Sequence, residues 1–422
     1  MRAQTSHFHL LAKPSGAACN LSCKYCFFLS KESLYRGDSH LMDDDTLEIY
    51  LRQLLASSAG PEVQVSWQGG EPMLRGLEFF RRSVEIAEKC RRPDQRVAHS
   101  IQTNGTLIDD SWAALFKENR YLVGLSIDGP RALHDANRID TRGRGTFDGV
   151  MRGWNCLRKH GVDVNILCTV HAQNADHPLE VYRFFRDELG AEYIQLIPIV
   201  ERATESTLAA ANRGWGGPRG RDRPFYRQAG NLVTERTVNA EKFGAFLVAI
   251  FDEWVRRDVG KVFVTTFDVA LGSWLGRHNL CIVAPTCGQS LVLEHTGDVY
   301  SCDHYVEPEH RVGNIRQTPL ERLVTSEKQR RFGESKYTTL PKYCRECPVL
   351  FACYGECPRN RFIKTPDGED GLNYLCAGYR KFFTHIREPM GVMASLLRQG
   401  RHADEIMRLS RGVERLEPRV PA

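Results

Sequence analysis

Three cysteines sit at positions 19, 23 and 26 inside CNLSCKYCFF, and thiols at such short spacing are metal ligands first. A structural zinc ion takes four ligands, usually from paired CxxC knuckles, and this CxxxCxxC has no fourth cysteine nearby. His7 and His9 are the nearest substitutes, but they share one face of a short apolar strand and are expected to pack there. A cubane iron–sulfur cluster held by three thiolates leaves one iron with an open position, which is where a ligand can react.

Eight more cysteines crowd the last third: Cys281, Cys287 and Cys302, then Cys344, Cys347, Cys353 and Cys357, then Cys376. Eight thiolates make two complete sets of four, and spacing alone leaves two zinc ribbons and two iron–sulfur clusters both open. Cys90, Cys156 and Cys168 fall singly in apolar surroundings and are expected as small core residues.

The elements that must position these groups show as two periodicities. Six β-rich runs, HFHLLAK, VQVSWQ, VAHSIQT, YLVGLSI, VDVNILCTV and YIQLIPIV, are separated by segments with helical spacing such as DDTLEIYLRQLLASS and GLEFFRRSVEIAEKC. Six βα units in a row predict a parallel sheet, closed or partly closed. The cysteine loop follows the first strand, QGGEP the second, QTNG the third and SIDGP the fourth, so the chemistry-bearing residues collect at the C-terminal edge of the sheet. Residues 201–230, around NRGWGGPRGRDRP, lack periodicity and are expected as a loop or lid. A helical bridge follows, and the tail after Tyr379 is expected as one or two surface helices.

Composition narrows the function. The balance of 57 Lys+Arg against 52 Asp+Glu leaves +5, too small and too dispersed for a nucleic-acid track. The opening MRAQTSHFHLLAKPSG has no apolar signal core, and no run approaches the ~18 apolar residues of a membrane span. A cytoplasmic protein is expected, and in that reducing compartment fourteen cysteines imply metal rather than disulfides.

CxxxCxxC after the first strand, with Tyr25 before its last cysteine, resembles the radical S-adenosylmethionine superfamily. The resemblance implies that the open iron chelates S-adenosyl-L-methionine and that its reductive cleavage gives a hydrogen-abstracting radical. It implies cofactor contacts at Tyr25, Gly70 of GGEP, Ser126 of SIDGP, Arg138 of HDANR and Val200. The second cysteine field resembles the SPASM domain, which implies two auxiliary clusters, one on Cys281, Cys287, Cys302 and Cys357 and the other on Cys344, Cys347, Cys353 and Cys376. With the first site this makes three [4Fe-4S] clusters.

Over nearly the whole chain, through CKYCFF, QGGEP, SIQTNGTLIDDSWA, GDVYSCDHYV and CRECPVLFACYGECPRNR, the likeness is to the anaerobic sulfatase-maturating enzymes. That resemblance implies oxidation of a cysteine or serine of an unfolded sulfatase polypeptide to Cα-formylglycine. It implies Asp303 as proton acceptor and an external one-electron donor such as flavodoxin or ferredoxin, with no nucleic-acid or membrane partner. Phe28 departs from the tyrosine found after CF in such enzymes, so no role for that hydroxyl carries over. The expected architecture is α/β: a partial (β/α)6 TIM-like barrel over 1–230, a helical bridge over 231–280, a SPASM domain over 281–385 and a helical tail over 386–422. Another SPASM-type peptide maturase forming thioethers or crosslinks, and a zinc-stabilised binding module, are the competing readings.

Overall fold

The computed structural model describes residues 8–215, 225–227 and 229–409. All six expected strands form: β1 (His9–Ala12), β2 (Glu62–Trp67), β3 (Arg96–Thr103), β4 (Leu122–Ser126), β5 (Asp163–Val170) and β6 (Tyr193–Pro198). They pair in sequence order and in parallel. Parallel neighbours need a crossover, and the helices Asp44–Ser57, Leu77–Cys90, Asp110–Glu118 and Phe147–His160 supply four of them. Their starts are chemically marked: Asp43 accepts from Thr46 N at 2.7 Å and Asp109 from Trp112 N at 3.0 Å, each satisfying a backbone donor of the first turn. Helix Leu77–Cys90 buries Phe79, Phe80, Ser83 and Ala87 and turns Arg81 and Arg82 outward, the amphipathic split that docks it on the sheet.

Residues 201–230 differ from the expected structureless loop. β7 (Arg202–Ala203) and β8 (Leu232–Val233) pair antiparallel, and a helix spans Glu205–Arg213. The Thr204 cap and the alanine run after it favour that helix, and Ala211, Trp215 and Tyr226 are buried together. Residues 216–224, most of the Gly/Arg-rich stretch, lie outside the described residues, as do His7 and the tail beyond 409.

Downstream, β9 (Phe263–Val264) joins β6 in parallel. β10 (Ser290–Leu293) lies parallel on the other side of β1, with His9 opposite Ser290 and Ala12 opposite Leu293. β11 (Asp298–Tyr300) and β12 (Arg311–Asn314) continue antiparallel, giving a ten-stranded sheet in the order β12-β11-β10-β1-β2-β3-β4-β5-β6-β9. β13 (Arg361–Lys364) and β14 (Asp370–Asn373) form a separate hairpin. The part of the chain that carries the second cysteine field is therefore stitched to the first strand.

The tail helices are more than surface decoration. Cys376–His385 and Arg387–Arg398 bury Phe382, Ile386, Met390 and Met393. A Cβ at Gly378 would stand 2.1 Å from the carbonyl oxygen of Ala240, so this helix and Ala240–Arg257 cross with their backbones in contact. Among the described residues no helix is long and apolar enough to cross a membrane.

Candidate active site

The loop after β1 carries Cys19, Cys23 and Cys26, and its shape is set by backbone contact with QGGEP. Gly70 N donates to Gly16 O at 2.8 Å and Glu71 N to Ala18 O at 2.7 Å. A Cβ on Gly70 would fall 1.9 Å from Ala18 O, so the close approach this glycine permits is that of the cysteine loop itself. Glu71 is fully buried. It accepts from Asn104 N at 2.9 Å, Thr103 Oγ1 at 2.8 Å and Met73 N at 3.1 Å. Burial pushes its carboxyl up to about 7 against those donors. Asn104 continues the chain to Asn20 at 2.8 Å, and Leu21 N donates to Cys19 Sγ at 3.3 Å. QTNG thus braces the cysteine loop from β3, a role the sequence reading left unassigned.

A second buried network fixes the other side. Asp128 of SIDGP is fully buried; it accepts from Tyr25 OH at 2.6 Å and Thr169 N at 2.9 Å and pairs with Arg138 Nε at 3.0 Å. Burial would raise its carboxyl, but Arg138 holds it below the usual range. Arg138, an implied cofactor contact, is therefore already engaged by a protein carboxylate, with Thr169 Oγ1 at 3.3 Å from Nη2. Asp128 is the partner that sequence reasoning missed, since a DG turn signals itself only as a turn.

A cavity of about 440 Å³ opens at the C-terminal ends of the strands, a size that suits a small-molecule cofactor. Cys19, Cys23 and Cys26 line it together with Tyr25, Gly70 and Ser126. Arg138, Val200 and Asp303 are also on its wall, so the structure brings every implied cofactor contact and the implied proton acceptor into one space. Ser126 Oγ accepts from Gln102 Nε2 at 3.0 Å, and His9 is outside the wall, bonded to Ser66 Oγ at 2.9 Å. Asp303 pairs with the ammonium of Lys13 at 2.5 Å. Burial would raise its carboxyl; Lys13 overrides that and holds it below the usual range, so it stands as a carboxylate.

The eight downstream cysteines separate into two groups. After burial, proximity to Cys281 also pushes up the thiols of Cys287, Cys302 and Cys357, which places these four together. Proximity likewise couples Cys353 to Cys376 and Cys344, and Cys376 to Cys347. The second four line one small cavity. Burial pushes Cys23, Cys353 and Cys357 up to about 12 and Cys287 and Cys376 up to about 11, so these thiols ionise only when a cation takes the proton's place.

Sulfur spacing tests which cation fits. Zinc at about 2.3 Å from each sulfur would draw its thiolates to about 3.8 Å of one another. Among the described residues no three cysteine sulfurs lie within 4.8 Å of one another; the trio of ligand-type atoms that does converge is Asp110, Cys156 and His160. A cubane does not ask for that convergence, because it places each thiolate on a separate iron corner. Cys168 is a core residue as expected, whereas Cys156 is half-buried with its sulfur 3.7 Å from Asp110 Oδ1.

Comparison with known proteins identifies the family. Residues 14–185 match the Radical SAM superfamily and residues 281–348 an iron-sulfur cluster-binding domain. A serine-type anaerobic sulfatase-maturating enzyme of Bacteroides thetaiotaomicron is 42% identical over 406 residues, covering 95% of this chain and 94% of the relative. A cysteine-type enzyme of Clostridium perfringens is 34% identical over 380 residues, 89% of this chain and 95% of the relative. The solved structure of native anSMEcpe with bound AdoMet and Kp18Cys peptide superposes with a TM-score of 0.77 at 32% identity, over 92% of this chain and 99% of that one.

Proposed function

Because this chain belongs to the anaerobic sulfatase-maturating enzymes of the radical S-adenosylmethionine superfamily, we propose that it oxidises a serine of an unfolded sulfatase polypeptide to Cα-formylglycine. The observation that carries the reading is the single cavity shared by the three-cysteine loop and the Asp303 carboxylate. Cys19, Cys23 and Cys26 hold one [4Fe-4S] cluster, and Tyr25, Gly70, Ser126, Arg138 and Val200 surround S-adenosyl-L-methionine. Cys281, Cys287, Cys302 and Cys357 hold the second cluster, and Cys344, Cys347, Cys353 and Cys376 the third. Bound there, the cofactor and its cluster supply hydrogen abstraction from the substrate Cβ.

The protein's own part is to take the proton. Turning CH–OH into C=O after that abstraction requires loss of one proton from Oγ and one electron, and Asp303 accepts the proton. Cys302, its immediate neighbour, would hold a cluster able to take the electron. Serine is favoured over cysteine because the serine-type relative shares 42% of its residues and the cysteine-type relative 34%. Flavodoxin or ferredoxin in the cytoplasm supplies the initiating electron. The working division of the chain is a barrel over 1–230, a bridge over 231–280, the two-cluster domain over 281–385 and the tail over 386–422.

The test is anaerobic reconstitution to roughly twelve irons per chain, then incubation with reductant, S-adenosyl-L-methionine and sulfatase-motif peptides bearing serine or cysteine. Mass spectrometry should show formylglycine from the serine peptide at the higher rate. Release of 5'-deoxyadenosine with no formylglycine from either peptide would refute the reading.

A further inference from the structure

Lys13 is the first residue after β1 and is 1% exposed. A lysine that deep is costly unless its charge is paired, and the pair is Asp303 at 2.5 Å. The ammonium also stands 3.9 Å from the centroid of the Phe28 ring. Phe28 offers a cation its ring face and has no hydroxyl to give a carboxylate. Lys13, Phe28 and Asp303 all lie on the wall of the same cavity. The link crosses the seam between β1 and β10, so it ties the cysteine loop of the first strand to the segment after β11.

We propose that Lys13 is a positioning residue. It holds one oxygen of Asp303 against the cavity wall and leaves the other for the substrate, so that proton loss keeps pace with hydrogen abstraction. The inference rests on Asp303 being the proton acceptor. The balance of the step is simple: after the Cβ hydrogen has left, the substrate Oγ–H bond breaks, its proton goes to Asp303, one electron goes to an iron–sulfur acceptor beside Cys302, and the C=O bond forms. If the carboxylate is misplaced, the substrate radical persists until one electron from the external reductant and one proton from solvent quench it, so cofactor is consumed without product.

The experiment compares wild type, Lys13→Met and Lys13→Arg, each reconstituted and assayed for iron, with a serine peptide deuterated at Cβ. Wild type should yield one formylglycine per 5'-deoxyadenosine. Lys13→Met should still move deuterium into 5'-deoxyadenosine with unchanged peptide KM, while formylglycine per 5'-deoxyadenosine falls about 100-fold, the scale of a lost general base. Lys13→Arg should restore most of the coupling. Coupled wild-type-like turnover by Lys13→Met would overturn the inference, as would a raised KM with coupling intact, or an arginine variant as uncoupled as the methionine one. Should Lys13→Met load less iron, Lys13→Arg decides by the same ratio. Absence of product from wild type would instead sink the functional reading.

Discussion

The barrel and the two-cluster domain both bury cysteines, but different forces shape the ground beneath them. In the barrel, six parallel strands and their helices are already a complete core, and the cysteine loop is a passenger braced by Glu71, Asn104 and Asp128. In the two-cluster domain Cys344 and Cys353 ride on four-residue helices, Lys342–Arg345 and Leu350–Cys353, Cys376 opens the helix Cys376–His385, and the remaining five lie outside helices and strands. Between Cys353 and Cys357 the chain runs through Tyr354, Gly355 and Glu356 at φ of 44°, 67° and 52°. Two side-chain-bearing residues in the left-handed region are unfavourable by about 1–2 kcal/mol each and persist only where the surroundings over-determine them. The contrast predicts that clusters decorate one region and, beyond the core both regions share, brace the other.

Stripping iron is the harshest way to break that contrast. Chelation under reducing, anaerobic conditions should abolish hydrogen-exchange protection around residues 344–376 while β2 to β5 keep theirs, because metal binding there is folding free energy. Equal opening of both regions would end the comparison. Single ligands sharpen it: Cys23→Ala should eliminate 5'-deoxyadenosine release, whereas Cys357→Ala should retain it, lose formylglycine, and destabilise residues 281–376 in the same exchange measurement. Gly70→Ala should cost about 1–3 kcal/mol and lower iron by one cluster's worth, since its Cβ meets Ala18 O at 1.9 Å.

A pH effect concerns His99 on β3, which is not on the wall of the cysteine-lined cavity. Burial pushes its imidazole down to about 4, and it stacks on Tyr121 with centroids 4.9 Å apart. Between pH 6.5 and 4 the unfolded chain binds the extra proton, so the stability that neutral His99 permits is complete above 6.5 and drains away as pH falls, by roughly 2–3 kcal/mol. His99→Gln should flatten that slope in urea melts of the iron-free chain, and an unchanged slope would show that the barrel core opens to water there.

Legibility from sequence follows the same divide. Strands β2 to β6 announce themselves because each has five to eight residues, enough to show a period, and turn motifs such as GGEP and SIDGP mark where β2 and β4 end. β7 to β14 have two to four residues each, too few for any periodicity, and the stitching of β10 onto β1 is a long-range event with no local trace. Tail residues such as Met390 read as one face of a surface helix because the helix they pack on, Thr265–Trp274, is over a hundred residues away. At the site, the residue types were readable from motifs, but their partners were not: Arg138 facing Asp128 and Lys13 facing Asp303 are buried pairs made by tertiary folding.

The pairing of β1 with β10 has a cost in time. During synthesis at roughly 5–20 residues per second, His9–Ala12 leaves the ribosome some 15–60 s before Ser290–Leu293 exists to lie beside it. For that interval one flank of the first strand is an open template for other chains, and its partner on the finished side, β2, is all that guards it. Slow elongation or premature termination before residue 290 should therefore show up as aggregated barrel rather than as a soluble half-enzyme.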